Sequence, residues 1–216
     1  PAQTAGINDT FYMGQGLDNK VGCYTNLLGL IEAKSSHVNK TMVSFFADAE
    51  EIGSKTGGGA DSNFLRDTLQ RILLASNGYD QQDWHIAIAN SSCISNDAAH
   101  AQHPNHTDVN DEFFQPQINS GPVIKFHAKQ KYSTTSHTGQ LIIEICNQLG
   151  MNYQQYVQRA DIPGGSTIGP FIQAFTQIPV VDIGIPLLAM HSIRETAGIN
   201  DTHDMILLIK TYYLGQ

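Results

Sequence analysis

The stretch Met42-Val43-Ser44-Phe45-Phe46-Ala47-Asp48-Ala49-Glu50-Glu51-Ile52-Gly53 sets the reading of this chain. Its first five residues, mostly apolar with β-branched and aromatic members, have the length and composition of a buried strand. They run into adjacent carboxylates and then into the glycine-rich loop Gly57-Gly58-Gly59. His85 to Ala89, Val123-Ile124-Lys125-Phe126 and Val180-Val181-Asp182-Ile183 add further strand-like runs. Between them, Lys20 to Ala33, Ser62 to Ala75, Gln140 to Leu149, Thr167 to Thr176 and Asp201 to Tyr213 carry Leu, Ile and Val at helical spacing. This alternation predicts an α/β layer fold, whose functional side chains gather in the loops just past the strand ends.

Composition narrows the classes. A chain of 216 residues fits one generous domain or part of a larger one. With 41% hydrophobic and only 15% charged residues, it has the material for a core and is not disordered as a whole. Twenty acidic against twelve basic residues give a net charge of -8, and no Lys/Arg run offsets it, so nucleic acid is not an expected partner. No apolar run approaches the ~18 residues of a membrane span, and no basic-then-apolar leader opens the chain. The expectation is a soluble, cytoplasmic protein. Cys23, Cys93 and Cys146 are odd in number and never form a C-x-x-C pair. They suggest neither a disulfide framework nor a thiolate zinc site, and fit a reducing compartment. Asn105 to Gly121 is polar and Pro-punctuated and predicts a long surface loop. Thr4-Ala5-Gly6-Ile7-Asn8-Asp9-Thr10 recurs letter for letter at 196–202, where both copies read as turns.

The chemistry is expected at the ends of the strands. Of two neighbouring glutamates, one can bind a divalent cation while the other takes a proton from water. A lone Glu50-Glu51 pair would be a solvated acidic turn. Asp18 before a helix and Asp97 after the His85 run each read as caps when taken singly, and His191 after Leu187-Leu188-Ala189-Met190 reads as a packed core residue. Together, two Asp, two Glu and one His match the oxygen-rich shell of a two-metal hydrolase. His100, His103 and His106 form a competing cluster at three-residue spacing. Pro104 breaks the helix that would bring them together, leaving at most supporting or substrate roles.

Several motifs then carry a resemblance: Gly16-Leu17-Asp18-Asn19, Ala49-Glu50-Glu51-Ile52-Gly53-Ser54 and Ser95-Asn96-Asp97-Ala98-Ala99-His100-Ala101-Gln102-His103-Pro104-Asn105. They are followed by Gly121-Pro122-Val123-Ile124-Lys125, Lys129-Gln130-Lys131-Tyr132, Thr167-Ile168-Gly169-Pro170 and Ala189-Met190-His191-Ser192-Ile193-Arg194-Glu195. In this order and spacing, from about Gly6 to the C-terminus, the chain resembles the aspartyl aminopeptidase and vacuolar aminopeptidase I family of di-zinc metallopeptidases.

That resemblance implies a three-layer αβα sandwich of the zinc-exopeptidase type, incomplete at the N-terminal side. It implies that Asp18 bridges two metals, that Glu51 and His191 complete one site, that Asp97 belongs to the other, and that Glu50 is the general base. Lys125 would meet an acidic P1 side chain, although a lysine on an edge-like strand is most often just solvated. Tyr132 would donate a hydroxyl near the substrate carbonyl. Gly165 and Ser166, in Gly164-Gly165-Ser166-Thr167, would lie beside the metals, and His100 would face substrate; Gly164 and Gly165 could equally be a plain turn. The implied cofactors are two divalent ions, most simply Zn2+, with Co2+ or Mn2+ as alternatives. The implied partners are peptides and further copies in a tetrahedral dodecamer.

Family members are about twice this length, against a single-domain prior here, with an upstream metal-binding histidine and an inserted dimerisation domain. Residues 1–216 are therefore expected to form the C-terminal half of a catalytic domain, weakly active or inactive alone. The competing readings are a co-catalytic di-zinc aminopeptidase or deacylase of other specificity, and a non-catalytic metal-binding or assembly fragment built on His100, His103 and His106.

Overall fold

The computed structural model describes residues 1–34, 38–77, 80–159 and 161–215. Among them the strands are β1 (Gln3–Ala5), β2 (Phe11–Gly14), β3 (Cys93–Asn96), β4 (Ala99–His100), β5 (Val123–Phe126), β6 (Gln154–Val157), β7 (Val180–Gly184), β8 (Pro186–Leu188) and β9 (Glu195–Gly198). The α-helices are α1 (Leu17–Ala33), α2 (Phe64–Asn77), α3 (Gln81–Ala89), α4 (Ser136–Leu149), α5 (Gly169–Thr176) and α6 (Ile199–Leu214).

One sheet has the strand order β3-β7-β5-β6 and the other β1-β2-β9-β8-β4. They share a bend. β3 runs in parallel beside β7 and, two residues on, β4 runs in parallel beside β8. Between them the Asp97 and Ala99 amides donate to the carbonyls of Ile183 and Ile185, each at 2.9 Å, so the ladder continues across the break. Asp97 sits in this bend.

Alternation along β7 sets the layers, because successive side chains point to opposite faces. Val181 and Ile183 join one core cluster with Val21 of α1, Ile142 and Ile145 of α4, and Met205 and Leu208 of α6. Each such side chain contributes about 1.5–3 kcal/mol when fully buried. Asp182 points the other way, toward α5. There Gly169 comes so close that an added Cβ would lie 2.6 Å from both Asp182 carboxylate oxygens. The result is a helix–sheet–helix sandwich.

The sequence misplaces two strands. Residues 42–46 have no regular secondary structure and pair with no strand among the described residues; Tyr213 donates its hydroxyl to the Val43 carbonyl at 3.0 Å, and Val43 and Phe46 stay exposed. An apolar run becomes a strand only where a neighbouring backbone can complete its ladder. His85 to Ala89 lies in α3, which a reciprocal capping box starts: Asp80 accepts from the Asp83 amide at 2.9 Å, and Asp83 accepts from the Asp80 amide at 3.3 Å. Trp84 and Ile88, one turn apart, bury its inner face. The strand leading into Asp97 is instead β3, whose polar Ser95 and Asn96 hide its strand character. β5 lies inside the sheet between β7 and β6, not at an edge.

The repeated heptapeptide flanks β2 on both sides. Thr4 and Ala5 pair with Tyr12 and Phe11 from β1, and Ala197 and Gly198 pair with the same two residues from β9. Past the strands the copies diverge. Ile7–Asp9 is a 3-10 turn, whereas 199–202 open α6 with Asp201 fully buried.

Candidate active site

Asp18 follows β2 through Gly16, which takes the left-handed conformation (φ 66) that lets the chain turn into α1. The Asp18 and Asn19 backbone is not yet helical, and the peptide between them is cis. Asn19 donates to the Asn96 carbonyl at 2.8 Å, while Asn96 donates to Thr25 and Asn26, each at 2.9 Å. These bonds tie the start of α1 to the end of β3, immediately before Asp97.

Asp18 Oδ2 lies 3.0 Å from His191 Nε2, and Glu51 Oε2 lies 3.1 Å from the same nitrogen. Donor atoms of Asp18, Glu51 and His191 all fall within 4.8 Å of one another. The Asp18 side chain is only 5% exposed, whereas that of His191 is 62% exposed. Asp18 Oδ1 is buried without a hydrogen-bond partner among the described residues. Burial first, then the charges of Asp97 and Glu51, push the Asp18 carboxyl up to about 7. Two carboxylates and an imidazole converging on one point, one oxygen orphaned, are the donor set that zinc takes. The residues fit that ion.

Glu50 shares a 3-10 turn with Glu51 but stays outside this donor set. Ala49, just before it, is left-handed (φ 59), a strained setting for a residue with a Cβ. Burial raises the Glu50 carboxyl to about 7, helped by the charges of Asp97 and Glu51 and opposed by Lys125 and His191. Those four residues are therefore its electrostatic neighbours. Asp18, Glu50, Glu51 and Asp97 share the lining of a cleft of about 1190 Å³ with apolar Trp84 and Ile178.

Lys125 is 2% exposed and donates to Asp97 Oδ2 at 3.0 Å, to the Asp97 carbonyl at 2.8 Å and to the Ala98 carbonyl at 3.2 Å. All three ammonium hydrogens are thereby placed, and the solvated alternative for this residue is corrected. Its Nζ also lies 5.2 Å from the ring centre of Tyr132, a cation–π contact. Tyr132 is buried against Val123, Ala99 and Tyr156, and burial pushes its hydroxyl up to about 12. Gly165 and Ser166 are exposed, in a loop tied down by Lys131 Nζ, which donates to the Gly164 carbonyl at 2.5 Å. His100 is exposed and its ring lies 6.5 Å from that of Tyr156. The rings of His103 and His106 lie 5.0 Å apart, but neither joins the Asp18–Glu51–His191 donor set.

One neighbour of the centre is absent from the candidates drawn from sequence. Glu195 is 1% exposed; its Oε1 accepts from the His191 amide at 2.8 Å and its Oε2 from the Asp18 amide at 3.2 Å. The signal was a glutamate opening a strand in a motif already notable for His191, but burial and partner are tertiary facts.

A three-layer α/β sandwich that gathers an Asp–Glu–His donor set, with a second glutamate beside it, is a metal-binding type of α/β protein. Residues 1–213 match the family described as Aminopeptidase I zinc metalloprotease (M18). The chain belongs to this peptidase M18 family, of the aspartyl aminopeptidase and vacuolar aminopeptidase I type. It is 47% identical over 196 residues to a "Probable M18 family aminopeptidase 2" of Clostridium acetobutylicum, covering 91% of this chain and 45% of that protein. Its fold is similar to that in a cryo-EM structure of the Ape4 and Nbr1 complex, with TM-score 0.92, 34% identity, and 99% of this chain and 41% of that one covered. It is also similar to the S. cerevisiae mApe1 dodecamer, with TM-score 0.83, 26% identity, and coverage of 98% and 48%. The chain thus spans about half the length of the curated relatives it matches. No helix among the described residues is long and apolar enough to cross a membrane.

Proposed function

We propose that this chain carries the catalytic centre of a metal-dependent aminopeptidase that removes the N-terminal residue, preferably Asp or Glu, from peptides. One observation carries the reading: Glu51 joins Asp18 and His191 in a single donor set, while its neighbour Glu50 stays apart with its carboxyl raised to about 7. Asp18, Glu51 and His191 would hold one divalent ion, and Asp18 with Asp97 would contribute to a second; zinc fits this shell best, and cobalt or manganese would share it. When bound, such ions polarise a scissile carbonyl and lower the pKa of water.

Glu50 takes the proton from the attacking water and delivers it to the leaving amine. Burial shifts the Glu50 carboxyl upward in the metal-free chain, the direction that makes it a better proton acceptor. Tyr132, kept protonated by burial, donates its hydroxyl toward the carbonyl oxygen. Gly165 and Ser166 line the substrate with backbone, and His100 faces it. Lys125 meets an acidic P1 side chain by exchanging part of its bonding to Asp97 and Ala98. By analogy with the relative solved as a dodecamer, the working form is a homo-oligomer; tetrahedral symmetry and a cytoplasmic setting complete the proposal.

The test is metal-dependent release of the N-terminal residue from an Asp-X peptide, comparing the wild type with Glu50→Gln. Each is assayed alone and joined to the remaining length of an M18 relative. Activity in the joined wild type that Glu50→Gln removes supports the reading. Equal activity in both would overturn the general-base role, and silence in the joined wild type would overturn the aminopeptidase reading.

A further inference from the structure

We infer that Glu195 is a positioning residue for the Asp18–Glu51–His191 centre, one buried carboxylate holding the backbone of two donors in register. The inference rests on reading those three residues as a metal centre. Oε1 accepts the His191 amide at 2.8 Å and Oε2 the Asp18 amide at 3.2 Å, so a single side chain spans two donor residues 173 positions apart. It does so from a rigid base. Glu195 opens β9 opposite Gly14 at the end of β2, and β2 leads through Gly16 into Asp18.

His191 has particular need of such a partner. Its backbone is left-handed (φ 65), as is that of Ala189 (φ 56), in a turn that the Ser192 amide closes onto the Ala189 carbonyl at 3.0 Å. That conformation costs a residue with a Cβ about 1–2 kcal/mol and persists only where the surroundings over-determine it. The amide of His191 is the group that Glu195 fixes, so the bond that orients the imidazole also holds its strained backbone. The carboxylate also adds a negative charge beside Asp18 in a site that already gathers Glu50, Glu51 and Asp97. That crowding is unfavourable in the free protein and favourable toward a bound cation, so Glu195 acts on metal affinity by geometry and by charge.

The experiment measures zinc affinity by competition with a chromophoric chelator, using the full chain. The variants are Glu195→Gln, Glu195→Asp, Asp201→Asn and His191→Ala, each with an unfolding curve without metal. Asp201 is the matched control: equally buried, it accepts the amides of Asn119 at 2.6 Å and Gly121 at 2.9 Å but belongs to no donor set. Glu195→Gln is expected to weaken zinc by about 10–100-fold, the range for residues that orient metal ligands. Glu195→Asp keeps the charge but is a methylene too short to reach both amides, and should also weaken it. Asp201→Asn should leave zinc affinity unchanged.

Wild-type affinity in Glu195→Gln would overturn the positioning role alone. An equal loss in Asp201→Asn would also overturn it, since the effect would then be general loosening of the fold. If Glu195→Gln does not unfold cooperatively, Glu195→Asp decides, with weakened zinc supporting the role and unchanged zinc opposing it. A wild-type chain whose zinc uptake is indifferent to His191→Ala would overturn the metal-centre reading and this inference together.

Discussion

The side-chain ammonium of Lys125 is held by Asp97 twice, at 3.0 Å from its carboxylate and 2.8 Å from its own carbonyl oxygen. The pair bridges the interior strand β5 and the bend between β3 and β4. It therefore fixes the loop bearing a candidate metal ligand to the middle of the sheet. Lys125→Met would leave Asp97 without its cation in a site that is largely desolvated. A loss of about 2–4 kcal/mol is expected, near the lower end for breaking a buried pair because Asp97 keeps some solvent. Denaturant unfolding measures it; a loss under half a kcal/mol would mean that the pair is replaceable.

Metal should stabilise the fold. Saturating zinc at about 100 times its Kd adds about 2.7 kcal/mol when it binds only the native state. The thermal midpoint should rise with zinc, return with EDTA, and not respond in His191→Ala, which removes the nitrogen that both Asp18 and Glu51 approach. A zinc response that survives His191→Ala would place the ion elsewhere.

Two glycines in neighbouring segments give opposite expectations. Gly169→Ala drives a methyl to within 2.6 Å of the Asp182 carboxylate, which is pinned by the Ser133 amide at 2.5 Å and the Thr167 hydroxyl at 2.6 Å. It should cost on the order of 2–3 kcal/mol, since neither the carboxylate nor the helix start can move aside freely. Gly165→Ala meets nothing within 4 Å and should change stability by less than about 0.5 kcal/mol. Unfolding midpoints of the two variants measured together test the contrast.

Asp201 gives the fold a pH dependence of its own. Burial raises its carboxyl from 3.8 to about 6, with the charge of Asp204 adding and the amides of Asn119 and Gly121 opposing. A group whose folded pKa is raised binds its proton more tightly in the native state. Its contribution is therefore fully present below about 3.8 and is lost as pH rises through about 6. Relative to Asp201→Asn, the wild type should lose on the order of 2–3 kcal/mol between pH 4 and 7. A stability difference that is flat across this range would show that the carboxylate titrates normally.

Much of the candidate site could be read without coordinates, because its donors are chemically unusual for where they fall. Asp18, Glu50, Glu51, Asp97 and His191 each follow or adjoin an apolar segment, and their motifs keep order and spacing along the chain. The layer class was equally legible, since helical spacing in the segments that became α1, α2, α4, α5 and α6 is a local property. The two misplaced strands mark the limit. Residues 42–46 have strand composition but no ladder among the described residues, and His85 to Ala89 alternates over too short a run to outweigh the Asp80–Asp83 cap. β3 contains Ser95 and Asn96, both buried polar residues, and α1 supplies the partners of the Asn96 amide.

The sequence alone determined that Asp18, Glu50, Glu51, Asp97 and His191 are candidate metal and proton-transfer groups, because donor chemistry belongs to the residue and motif order survives without coordinates. Only the tertiary structure decided that Asp18, Glu51 and His191 converge, that Lys125 is locked to Asp97, and that Glu195 grips two donor residues from within β9. Apart from the four-residue link between His191 and Glu195, those facts depend on pairings across 28 to 177 positions of chain, and on burial that turns an ordinary carboxylate into an obligatory partner.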